Sequence, residues 1–247
     1  MTIFNRTIAA VQRFLKKRNF VISRLPIPPR QPLNIIPLLV ERIEVNEDDF
    51  CVVQIGANDG CHSDPIYPLL RTHRWRAILV EPQPDMFERL CRLHADRPNT
   101  HLENCAIAST DGSMTLYRFK ADPRVPPHLH GMASFDRQML MRQVKHHPGI
   151  QQFIVPINVP TQTVFTLLTK HHIDNIHLLQ VDVEGFDFQI LRMTFESGVF
   201  PCIIQFESWH LQPAEKEDCA ELLTRHNYHF VTVGRDTVAA LKSVLPQ

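Results

Sequence analysis

Apolar positions along the chain fall into short runs separated by segments of helical spacing. Phe50-Cys51-Val52-Val53, with Ile55 beyond Gln54, is apolar on both faces, as a strand at the centre of a parallel sheet must be. Arg76 to Glu81, Ile176 to Val181 and Cys202 to Glu207 read the same way, and Thr100 to Ala106 reads as a further strand. Helical patterns fill the gaps: a start at Ser63-Asp64-Pro65, Pro84 to about Ala95, Thr163 to His172, Phe186 to Met193 and Pro213 to Arg225. Asp111-Gly112 is a turn signal, and Ser113 to Phe119 alternates, which predicts a hairpin. Phe153 to Pro160 reads as extended. His229 to Val233 and Thr237 to Leu241 predict a final antiparallel pair. Strands alternating with helices imply an α/β fold with a doubly wound, mostly parallel sheet.

Chemistry gathers where the strands end. The first strand runs into Gly56-Ala57-Asn58-Asp59-Gly60, a turn whose two glycines let backbone approach a ligand closely. About twenty residues later the next strand closes on Glu81, placed to accept hydrogen bonds from ribose hydroxyls. A dinucleotide site requires Gly-x-Gly-x-x-Gly, so that a pyrophosphate rests on a helix N-terminus. Here the spacing is Gly-x-x-x-Gly, and Asp59 would repel that group. An amino-acid zwitterion joined to adenosine fits better, so the turn favours S-adenosylmethionine over a nicotinamide dinucleotide.

Two further strands end in acids. Leu178-Leu179-Gln180-Val181 leads to Asp182 and Glu184, which share a direction while the chain stays extended. Cys202 to Phe206 leads to Glu207, with His210 just beyond. Buried carboxylates need partners or a ligand. Asp182, with Glu207 or His210, is the candidate base for an acceptor proton, and Glu184 belongs to the same edge. A divalent cation on Asp182 and Glu207 is a lesser variant. His128-x-His130 and the His146-His147 pair lack a further ligand, so no metal site is assigned there.

The 247 residues suffice for one large domain with a short N-terminal appendage. Boundaries fall at 1–33 and 34–247, with an insertion at about 120–150 expected to cover substrate. Residues Thr2 to Arg18 pattern as a basic amphipathic helix, followed by a proline-rich linker from Pro26 to Pro37; helical character returns from Asn34 to Glu44. Three readings stay open for this segment: a helix packed on the body, a contact through residues 1–25 for a membrane surface or protein partner, or a disordered tail. Formal net charge is zero, which removes any global attraction to nucleic acid. No apolar run approaches the ~20 residues of a membrane span. The six cysteines include no Cys-x-x-Cys, and Cys51, Cys105 and Cys202 lie in or beside apolar runs. A reducing, cytoplasmic setting is the expectation.

GANDG at 56–60, LVEP at 79–82, the segment at 104–119, LLQVDVEGFDFQIL at 178–191 and IIQFE at 203–207 occur in that order. Together they resemble the FkbM family of S-adenosylmethionine-dependent methyltransferases. The resemblance implies a Rossmann-like class I methyltransferase fold, with a seven-stranded sheet whose last strand is antiparallel. It also implies O-methylation of a hydroxyl on a sugar, glycan or secondary metabolite. By position, Gly56, Asn58 and Gly60 would line the methionine moiety, with Gln54 and Ala57 alongside. Glu81 and Pro82 would meet the ribose, and Asn104 and Ala106 the adenine. Asp182 would face both cofactor and acceptor. Family members often carry lysine at the position of Gln180. The alternative to an enzyme is a non-catalytic module that keeps the cofactor fold and docks through its basic N-terminal helix.

Overall fold

A computed structural model describes residues 34–245; the readings for the basic helix and most of the linker lie outside them. The main sheet has seven strands: β1 (Cys51–Ile55), β2 (Arg76–Val80), β3 (Thr100–Glu103), β8 (Leu178–Val181), β9 (Ile203–Glu207), β10 (Tyr228–Val233) and β11 (Asp236–Leu241). Their order is β10-β11-β9-β8-β1-β2-β3. β11 runs antiparallel to both neighbours, and the remaining pairs are parallel. This is the expected class I arrangement, with the final strand reversed.

Alternation along the strands sends side chains to two cores. One face carries Val53, Ile55, Leu179, Val181, Ile204 and Phe206. It is covered by α5 (Val164–Lys170), α6 (Asp187–Glu196) and α7 (Pro213–Arg225). The other carries Val52, Ala77, Leu79, Leu178, Ile203 and Val238, under α1 (Ile36–Val40), α2 (Tyr67–Thr72) and α3 (Pro84–Leu93). Cys51 and Cys105 sit in the first core as small hydrophobes, whereas Cys202 is half-buried; all six cysteines are unpaired. Among the described residues, no helix is long and apolar enough to cross a membrane.

A second sheet holds β4 (Ala106–Ile107), β5 (Gly112–Phe119), β6 (Ala133–Ser134) and β7 (Ile154–Gln162), in the order β4-β7-β5-β6. Two expectations change here. The third strand is not continuous to Ala106: it leaves the main sheet after Glu103, and Ala106–Ile107 pairs with Thr161–Gln162. The turn at Asp111-Gly112 makes no local hairpin, because β7 lies between β4 and β5 and pairs with β5 from Gly112↔Thr161 to Phe119↔Ile154. A turn signal fixes where the chain reverses, not which strand it then meets.

Helix boundaries shift for local reasons. Asp64 Oδ1 accepts from the N–H groups of Ile66 (2.9 Å) and Tyr67 (3.2 Å), so the chain turns once more and α2 begins at Tyr67. α6 runs on to Glu196 because its buried face extends to Phe195. Between Phe119 and Phe153, the insertion contributes β6 and α4 (Arg137–Gln143) and packs Leu129, Leu140 and Val144 against Phe119. Arg118, buried in β5, forms a two-pronged ion pair with Asp85 of α3 and so ties the two sheets together.

Candidate active site

A cavity of about 570 Å³ opens at the carboxyl ends of β1, β2 and β8, roofed by the insertion. That is the size of an ordinary small-molecule site. Its floor is the glycine turn. Gly56 has φ +87°, and a Cβ there would stand 1.9 Å from the carbonyl oxygen of Asp182, so only glycine lets β1 pass so close to the end of β8. The N–H groups of Gly56 and Ala57 both donate to Val80 O at 2.9 Å, which pins the turn to β2. Asn58 follows at φ 51°. Gly131 of the insertion presses on it, leaving no room for a side chain between them.

Glu81 is buried beside this turn and lines the cavity. Its carboxylate oxygens accept from Asn58 N and Gln83 N, each at 2.8 Å. Burial outweighs those bonds and raises its pKa to about 7. Gln54, Ala57, Asn58, Pro82, Ala106 and Asp182 also reach the cavity. Gly60 does not: its missing side chain makes room for Leu90 of α3. Nor does Asn104, whose amide nitrogen donates to Glu81 O (2.8 Å) and Pro82 O (3.3 Å), bracing the turn that presents Glu81.

The second group of candidates lies at the ends of β8 and β9. Asp182 is exposed by area and lines the cavity, while the protein packed around its carboxyl displaces part of its hydration. That desolvation, followed by the charges of Glu184, Asp187, Glu207 and Asp236, raises its pKa well above the carboxylate range. Extension stops at Val181: Glu184 has φ 54° and Gly185 φ 105°, so Asp182 and Glu184 do not point in parallel. Glu184 turns instead toward His210, whose Nε2 lies 3.3 Å from Glu184 Oε2 and 2.9 Å from Glu207 Oε2. The acid that joins Glu207 and His210 is therefore Glu184 rather than Asp182. Burial lowers the His210 pKa, but the hydrogen bonds that its ring donates to the Glu184 and Glu207 carboxylates more than offset it and bring it to about 9. Ser134 of the insertion donates to Glu184 O at 2.9 Å, holding that bend.

Residues 54–230 match the profile of the methyltransferase FkbM domain. The chain belongs to the FkbM methyltransferase family. Among solved structures, it resembles methyltransferase FkbM from Methylobacillus flagellatus KT, with a TM-score of 0.50 and 10% identity, over 85% of this chain and 48% of that one. This chain thus spans about half the length of that protein. A methyltransferase from Geobacter sulfurreducens aligns with a TM-score of 0.41 and 14% identity, over 94% of this chain and 87% of that one. No curated protein sequence matches.

In this FkbM-family chain the cavity also draws on Gln83 and Phe135, which the sequence reading passed over, on Asp64 and Gln180, which it read in other roles, and on Met132, which it placed within a segment expected to touch the cofactor pocket. Gln83 Nε2 donates to Gly131 O at 2.7 Å, so it joins roof to wall. A signal for Gln180 was present: one amide side chain in an otherwise apolar strand.

Proposed function

We propose that this chain is an S-adenosylmethionine-dependent methyltransferase acting on a hydroxyl of a sugar, glycan or secondary metabolite. The observation that carries the reading is the Gly56 turn set between Glu81 and Asp182 in the lining of one cavity. The residues suit the cofactor. Gly56 lets the β1 turn close against the end of β8 at the cavity, and Glu81 offers acceptor oxygens for ribose hydroxyls. Asp59, Asp64, Asp182 and Glu184 line the cavity against a single arginine, Arg89. Acidic walls favour a sulfonium and an ammonium and disfavour a pyrophosphate.

When bound, the cofactor supplies a methyl group already activated by its sulfonium. The chain's own task is to align the acceptor, exclude water and take a proton. At neutral pH His210 is held protonated between Glu184 and Glu207, so it balances their charge rather than acting as base. Asp182, which lines the cavity at the end of β8, is then the proton acceptor for the hydroxyl in its ionised form. Glu184 lines the cavity, and His210 and Glu207, which do not reach it, hold Glu184 from behind.

Calorimetry with S-adenosylhomocysteine, followed by transfer of labelled methyl groups into lysate fractions separated by solubility, tests the reading. Binding, incorporation into a glycan or small-metabolite fraction, and loss of at least about a hundredfold in turnover for Asp182→Asn are expected. Binding with no transfer to any fraction would favour a module that holds the cofactor without using it.

A further inference from the structure

The main sheet has two outer strands, and the chain finishes them differently. β3 is four residues long, and its last residue, Glu103, is held by Lys170 Nζ and His171 Nε2 at 2.7 Å each. A short strand ending in charge resists further pairing. The outer strands of the second sheet, β4 and β6, have only two residues each. β10 has six residues and none of these protections. From His226 to Gly234 the sequence holds no acid, lysine, arginine or proline.

Which groups of β10 stay free follows from its neighbour. One step before the first pair of the β10–β11 ladder, Lys242 N donates to Asn227 O at 3.0 Å, so Asn227 turns its backbone toward β11. By alternation His229 and Val231 do the same, while Phe230 and Thr232 direct their N–H and C=O groups to the open edge. Among the described residues, β10 pairs with no strand but β11. The side chains at this edge are apolar on both faces. Phe230 is 41% exposed and, with Trp209 at 61%, borders a groove of about 380 Å³ against α7. Val231, on the opposite face, is 48% exposed. Unpaired backbone flanked by apolar side chains is a pairing surface.

A second copy of the chain fits it. Antiparallel pairing about a two-fold axis at Val231 sets Phe230 opposite the partner's Thr232, and Thr232 opposite the partner's Phe230, which makes four backbone hydrogen bonds. At the axis Val231 meets the partner's Val231 in a close, non-hydrogen-bonded apolar pair. A formal net charge of zero gives two copies no global repulsion to overcome. Residues 1–33 of the same chain carry seven basic side chains and no acidic one, so an edge without carboxylates offers them no attraction. We infer that β10 is the junction of a homodimer, in which two seven-stranded sheets join edge to edge.

Sedimentation velocity on the full chain tests it. At ~100 μM the wild type should run as two copies and dissociate on dilution. Val231→Lys sets two ammonium groups face to face at the axis, and Thr232→Pro removes an outward N–H; each should weaken association by at least about tenfold. Phe165→Lys, at a ring on α5 that is 65% exposed, should leave the pair intact. Hydrogen exchange gives a readout that needs no variant: in the wild type the Phe230 and Thr232 amides should exchange more slowly as concentration rises. Wild-type protein that runs as a single copy at ~100 μM would overturn the inference. So would a pair that survives both edge variants, or one whose formation leaves exchange at Phe230 and Thr232 unchanged.

Discussion

Glu81 shows how far one side chain's setting decides its chemistry. Both its oxygens already accept backbone N–H groups, yet burial brings its pKa to about 7. Ribose hydroxyls donate, so they bind the ionised form better. Affinity for S-adenosylhomocysteine should therefore rise by roughly tenfold as pH increases from 6 to 8 through that value. Glu81→Gln should bind more weakly and lose the pH dependence, which titration calorimetry at several pH values would reveal. The position of this residue was legible, because an acid closing a strand about twenty residues after a glycine turn is a local pattern. Its pKa was not, since that depends on the turn of β1 and on Gln83 closing around it. Asn104 was legible as special, but its side chain serves the Glu81-Pro82 backbone, a contact that no spacing rule contains.

Elements were legible wherever their cause was local. The runs that became β1, β2, β8 and β9 carry their own signal, as does α7, whose proline start and length match the expected range. The hairpin at Asp111-Gly112 was misjudged because β5 takes its principal partner from residues some forty positions further on. The close crossing of β1 and β8 is also a property of paired elements. Gly56→Ala meets two penalties there: left-handed backbone, at about 1–2 kcal/mol, and collision with the Asp182 carbonyl. Gly198 has φ +79° with nothing within 4 Å of an added Cβ, so Gly198→Ala isolates the first penalty. Urea unfolding should show a loss of about 1 kcal/mol for the Gly198 variant. The Gly56 variant should lose at least about 3 kcal/mol, and its S-adenosylhomocysteine binding should collapse.

Across the whole molecule, two sheets must keep a fixed spacing for the cavity to exist. Arg118 and Asp85 span that gap, the arginine buried and the aspartate partly open to water. Arg118→Leu should cost about 2 kcal/mol in chemical denaturation, below the figure for a fully buried pair because Asp85 regains solvent. Donor affinity should fall with it, since Gly131 and Met132 would no longer be held over the glycine turn. The insertion was legible as an irregular segment, and its Gly131 to Ala133 reach the cavity. Its attachment to α3 was not, because Arg118 and Asp85 are far apart in sequence and ordinary in type. The reversed β11 has a further consequence. Since it separates β10 from β9, β10 is paired to the sheet only through β11, and the ladder passes to β9 at the β11–β9 seam. Opening of that one seam would bare the edge beside Glu207 and leave β1, β2 and β8 paired as they are.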